Sequence, residues 1–376
     1  MFRSIVFLIA GNVVSRAFYT VAMLVLAETY SPDIFSEIIF TATVLLFLGT
    51  VGPLRFELAI LEDNVNDKTL ASYLIYAVAA CMIVFIMLIY FDKKISPILI
   101  FMSLYANIGM ALMISKGREQ LLLLLRTTTS LIGAIFIIYN YGAKLNPQLV
   151  FLIVMMCYLS SSLLSFIYAA EAVPLRARII FFIKHIKMYY AQILETVFIT
   201  FAGMALVLIL QDRLAAIEYT YVALASQLFI SSAILVGSSL SHKYLNLLNK
   251  NISLIEFFVS YRRVVILVFL FYVSMILISI ILPEYGLDLI AFEAASKYGY
   301  FIIVSMLYVI VIPLSSIMIF RRKLHLNFFI HLGGSVARVA PLLFLNGERA
   351  IIYYILMSSA FYILYGWVIF REHKDV

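Results

Sequence analysis

Charge is what this sequence has least of. Only 12% of its 376 residues are Asp, Glu, Lys or Arg, while 65% are hydrophobic, against roughly 25% and 45–50% in soluble domains. A chain this long folded in water needs more polar surface than that, so lipid has to cover the remainder. Cysteine is scarce as well. Cys81 and Cys157 both lie inside apolar runs, which excludes a disulfide framework and a thiolate zinc site. No cofactor and no metal are expected. Phosphate-cradling glycines are also missing: GAKLNP (142–147) lacks the GxxxxGK[ST] spacing, so ATP hydrolysis is not expected.

What the chain does have is apolar runs of about 20 residues, each long enough at about 1.5 Å per residue to cross a hydrocarbon layer of about 30 Å. Twelve such segments follow one another: 4–27, 34–54, 69–91, 95–115, 121–141, 148–169, 188–210, 214–238, 262–282, 296–319, 326–345 and 350–370. Short breaks such as SPD, FDKK, KGREQ, LPEYG, RRK and NGER separate them. The first segment outruns a signal-peptide core and carries Arg16 in its middle, so it is expected to be a retained helix. With both termini cytoplasmic, the inner loops hold 18 Lys and Arg and the outer loops 6. That bias sets the expected orientation.

The predicted fold is an all-α polytopic membrane protein of about twelve transmembrane helices, in two six-helix lobes around a central cavity. Residues 1–170 form the first lobe, 171–187 a basic amphipathic linker, and 188–376 the second lobe. The linker, EAVPLRARIIFFIKHIK, reads equally as a helix lying on the inner leaflet through Phe181 and Phe182 or as an ordinary basic loop.

Three arginines remain inside the segments. A charge at the bilayer centre costs at least about 2.5–3.5 kcal/mol, so each needs a wet cavity or a partner. Arg16 and Arg338 are deep, whereas Arg126 is near enough to the inner end of its segment to reach headgroups. Polar residues fall on helical stripes with them: Asn12, Arg16 and Tyr19; Arg126, Ser130 and Gly133; His331, Ser335 and Arg338; and separately Gln192, Glu195 and Thr196. One reading makes Asn12, Arg16, Tyr19, Arg126, Gln192, His331, Ser335 and Arg338 the lining of a cavity for an anionic substrate, with Glu195 the candidate for a coupling ion. The other makes them interhelical glue, for instance Glu195 paired with Arg16 or Arg338. Pro313 and Pro341 are expected to kink their helices.

The stretch GPLRFELAIL (52–61), at the inner end of the second segment, resembles the Arg-Tyr/Phe-Glu-Leu-Ala-Ile segment of O-antigen and capsule polysaccharide flippases. These belong to the multidrug/oligosaccharidyl-lipid/polysaccharide exporter superfamily. IEYTYVALASQLFISSAILVGSSLS (217–241) resembles their eighth helix and its approach. The resemblance implies two lobes around a cavity open alternately to either side, moving undecaprenyl-diphosphate-linked sugar repeats across the inner membrane. It further implies that Arg16 is a cavity arginine and that Arg55 and Glu57 belong to a cytoplasmic gate. The expected partners are a lipid-linked oligosaccharide, the bilayer and a polysaccharide polymerase, with no nucleic acid. A drug exporter of the same superfamily is expected to carry acidic intramembrane sites instead. A membrane polymerase or acyltransferase is expected to present a long outer loop with catalytic residues, and no loop here is long enough.

Overall fold

The computed structural model describes residues 2–56, 80–84, 86, 97–115, 118–139, 146–147, 149–153, 155–156, 175–249, 254–281, 290–321 and 323–374. The regular structure among these residues is helical throughout. Seven of the helices are long and apolar enough to cross a membrane. The elements are α1 (Phe2–Thr29), α2 (Pro32–Val51), α3 (Pro97–Ser115), α4 (Glu119–Tyr139), α5 (Leu175–Leu210), α6 (Ala216–Ala225), α7 (Ser232–Asn249), α8 (Leu254–Ile281), α9 (Ile290–Tyr298), α10 (Phe301–Val311), α11 (Ser315–Phe320), α12 (Leu324–Phe344) and α13 (Gly347–Lys374).

Local sequence explains where these helices start and stop. Ser31 is extended and Pro32 occupies the first turn of α2, where its missing N–H costs nothing. Phe35, Ile38, Ile39, Ala42 and Leu45 then form a buried stripe down α2. Pro313 breaks the tenth apolar segment as expected: a 3₁₀ turn at Ile312–Leu314 separates α10 from α11. Pro341 stays inside α12, in its last turn.

Helix extends beyond the apolar segments at two places, one of them the linker that sequence reads equally as helix or loop. Residues 175–187 run unbroken into the seventh apolar segment, making α5 36 residues long, about 54 Å. Past the eighth segment, the helix continues to Asn249. Between α6 and α7 the same helix passes through a π turn, Ser226–Ser231, rather than a loop. Lys243, counted among the loop cations, is buried in α7.

The halves of the chain interlock. α1 packs along α4 and also touches α7, α2 packs on α3, α5 and α6, and α12 lies between α5 and α13. Buried hydrogen bonds cross these contacts. Ser15 and Ser130 join their hydroxyls at 2.7 Å between α1 and α4. Ser103 donates to the Leu45 carbonyl at 2.8 Å. Gln227, in the π turn, donates to the Thr43 hydroxyl of α2 at 3.2 Å. Without water, such backbone and side-chain groups have to be satisfied by protein, which fixes the helix pairings.

Candidate functional site

The C-terminal polar stripe meets the α5 stripe. On α12, Asn327, His331, Ser335 and Arg338 follow at intervals of 4, 4 and 3, and all four are buried. Glu195 of α5 faces them. Its Oε1 accepts a 2.7 Å hydrogen bond from Asn327 Nδ2 and lies 3.6 Å from His331 Nε2. Asn327 Oδ1 in turn accepts from the Tyr365 hydroxyl of α13. The Tyr365 and His331 rings meet edge-on at 4.3 Å. Glu195 Oε2 and both amide atoms of Gln192, one turn earlier on α5, are buried without a hydrogen-bond partner. A buried carboxylate oxygen left open suits a proton or a small cation.

Arg338 has only 1% of its surface exposed, and its fork is engaged on several sides. Nη1 donates to the Tyr362 hydroxyl at 2.8 Å, Nη2 to Ser335 Oγ at 3.2 Å and Nε to the Gly334 carbonyl at 3.2 Å. The guanidinium also stands 4.7 Å from the Phe361 ring and 5.4 Å from that of Tyr362. Every one of these partners is neutral, and no carboxylate pairs with Arg338 among the described residues. Of the two pairings named for interhelical glue, Glu195 with Arg338 is not formed and Glu195 with Arg16 lies outside the described residues; the acid bonds instead to Asn327 and the cation to Tyr362, each across a helix pair. In this conformation the stripe is packed shut against α13. Gly334 permits the close approach, since a Cβ there would fall 2.0 Å from a Phe361 ring carbon.

Other expected site residues lie elsewhere. Arg126 is buried on α4 beside the Ser130 to Ser15 contact, and Tyr19 is buried on α1. The side chains of Asn12 and Arg16, and the whole of Glu57, lie outside the described residues. Arg55 is not on a helix. Residues 52–55 form a turn in which Leu54 (φ 47°) and Arg55 (φ 62°) are both left-handed, at about 1–2 kcal/mol each for a non-glycine residue. The turn lies at the end of α2, where α5 packs against it.

A cavity of about 250 Å³ opens between α5 and α12, lined by Phe198, Phe201, Ser335, Val336, Val339, Ala340, Leu343 and Phe344. It is apolar except for Ser335, whose hydroxyl serves Arg338 on its other side. No group of three His, Cys, Asp or Glu among the described residues is placed to hold a metal ion.

Sequence reasoning did not find Asn327, Phe361, Tyr362 and Tyr365. Asn327 had a signal, one turn before His331 on the stripe already recognised. The α13 residues had one too: Tyr354, Ser358, Phe361, Tyr362 and Tyr365 are a helical stripe, hidden because tyrosine reads as apolar.

Solved structures share this architecture along its whole length. A MOP superfamily transporter from Pyrococcus furiosus, described as having a binding pocket of reverse polarity that suggests a different function, aligns with a TM-score of 0.65 and 11% identity over 99% of this chain and 95% of that one. The fold is that of the MOP superfamily transporters. A multidrug resistance MATE family transporter of the same superfamily aligns in its outward-facing conformation, with a TM-score of 0.66 and 11% identity over 100% of this chain and 95% of that one. An inward-facing one gives 0.65 and 9% over 96% and 95%. The all-α polytopic architecture expected from the apolar segments is thus the one observed. No family model matches the sequence, and no curated protein does.

Proposed function

We propose that the chain is a flippase carrying undecaprenyl-diphosphate-linked oligosaccharide repeats from the cytoplasmic to the periplasmic leaflet of a bacterial inner membrane, by alternating access. One observation carries this reading: Arg338 sits within a membrane-spanning helix with only neutral partners among the described residues, while the buried acid nearby is bonded elsewhere. A phosphate brings the guanidinium fork a full negative charge and two oxygens placed for bidentate bonding, which a neutral hydroxyl does not. An arriving diphosphate therefore competes with Tyr362 and Ser335 for the same fork, and taking it parts α12 from α13. Glu195, through its open Oε2, takes up a proton or cation that biases which side is open. The fold supports such a cycle, since MATE transporters sharing it are known in inward-facing and outward-facing conformations. The excess of cations on the expected inner side, 17 to 6 with the buried Lys243 set aside, supports cytoplasmic termini. A polysaccharide polymerase receiving the product is the natural partner.

A second reading, export of cationic drugs or metabolites, is favoured by Glu195 and by the multidrug transporters that share the fold. One reconstitution separates the two. Purified protein in vesicles is given a fluorescent polyprenyl-diphosphate sugar or a cationic dye, with and without a pH or sodium gradient. The flippase reading expects the sugar lipid to cross and Arg338→Lys, which keeps the charge but loses the planar fork, to slow it at least tenfold. Dye movement lost in Glu195→Gln, with no sugar-lipid movement, overturns it. A rate indifferent to both gradients removes the coupling role of Glu195.

A further inference from the structure

The left-handed turn after α2 is held by a residue of the other half of the chain. His185, on α5, is 3% exposed and places Nε2 2.9 Å from the Leu54 carbonyl oxygen. A carbonyl only accepts, so Nε2 carries the hydrogen. The His185 ring also stacks on Phe56, with centroids 3.9 Å apart and planes at 27°, and Phe56 is wholly buried. Tyr189, one turn along α5, backs the ring at 4.6 Å. The bond and the stack thus bracket Arg55 from both sides. Within the turn itself, Leu54 N–H reaches Val51 and Phe56 N–H reaches Pro53. Residues with a Cβ rarely hold positive φ twice running unless something outside imposes it.

We infer that His185 is a positioning residue for Arg55: its bond to Leu54 and its stack on Phe56 hold both left-handed residues in place and so fix the direction in which the Arg55 side chain leaves the turn. Released from His185, the turn relaxes toward ordinary backbone and Arg55 swings out of register. The latch joins the end of α2 to a helix of the C-terminal half, and it does so whatever cargo the protein carries.

Thiol chemistry at position 55 tests this without any cargo, so its outcome is separate from that of the transport reading. In a chain with Cys81 and Cys157 replaced by alanine, Arg55→Cys is reconstituted in phosphatidylethanolamine and phosphatidylglycerol vesicles. The rate of its modification by a cationic methanethiosulfonate is then followed. With His185 the rate is slow. His185→Gln, which still donates to Leu54, keeps it slow, and His185→Phe, which keeps the stack but not the bond, raises it at least tenfold. Adding Leu54→Gly to His185→Phe brings the rate back down, because glycine takes the left-handed φ without a penalty. If His185→Phe aggregates, recovery of monodisperse protein on adding Leu54→Gly reports the same release of strain. Equal rates for Phe and His at 185, or no recovery with Leu54→Gly, overturns the assignment.

Discussion

Removing one oxygen from Tyr362 probes the whole account of Arg338. Tyr362→Phe keeps the ring 5.4 Å from the guanidinium and deletes only the acceptor of the 2.8 Å bond from Nη1, the shortest that Arg338 makes. Hydrogen bonds to charged groups contribute about 1.5–3 kcal/mol in proteins. Side-chain bonds between membrane helices average about 0.6 kcal/mol and reach about 1.7. Arg338 is only 1% exposed and no carboxylate pairs with it among the described residues, so the upper membrane value applies. The expected loss is about 1.5 kcal/mol, roughly tenfold in the unfolding equilibrium. Tyr354→Phe is the neutral control: its hydroxyl donates to the Ala202 carbonyl at 2.6 Å and should be worth only about 0.6 kcal/mol. A double-mutant cycle with Arg338→Met, by denaturant titration in micelles followed by circular dichroism, isolates the pair. Coupling near 1.5 kcal/mol is expected. Coupling below about 0.5 kcal/mol means that water stands in for the lost hydroxyl, that Arg338 borders an aqueous vestibule at rest, and that the closed cluster is wrong.

Two further outcomes follow from the same cluster. Gly334→Ala drives a methyl into the Phe361 ring, 2.0 Å away, and should cost about 1–3 kcal/mol by the same titration. Pairing it with Phe361→Leu should recover part of that loss. Glu195→Gln still accepts from Asn327 but holds no charge at any pH. It should leave the unfolding midpoint nearly unchanged while abolishing the dependence of vesicle transport on an imposed pH or sodium gradient; a retained dependence places coupling on another residue.

Helix placement was legible because twenty apolar residues in succession admit little else in a bilayer, and ten of the twelve segments fall largely on described helices. Boundaries were less legible where a helix outlives its apolar run. Nothing in LSHKYLNLLN (240–249) demands lipid, yet those residues continue α7 because Tyr244, Leu245 and Leu248 are buried within the bundle. The polar stripe through His331 and Arg338 was visible at helical spacing. Its partners were not, since Tyr362 and Tyr365 lie 24 residues or more away in sequence and share the stripe only after α13 folds back on α12. Sequence places residues 52–55 only at the inner end of the second apolar segment. L-residues at positive φ contradict local preference, so such a turn leaves no mark in sequence; His185, 131 residues later, supplies what local preference does not.

The π turn at Ser226–Ser231 sets the phase between α6 and α7. One additional residue in a helical turn rotates everything beyond it by about 100° relative to an uninterrupted helix. After that rotation Gly237 meets the ring of Tyr308, where a Cβ would come within 2.8 Å, and Asn246 donates to the Ile114 carbonyl at 3.4 Å. The two ends of this long rod are therefore aimed independently. Insertion or loss of a single residue at that point re-clocks the half bearing His242 and Lys243 against its neighbours and leaves the seat of the other half on α2 undisturbed.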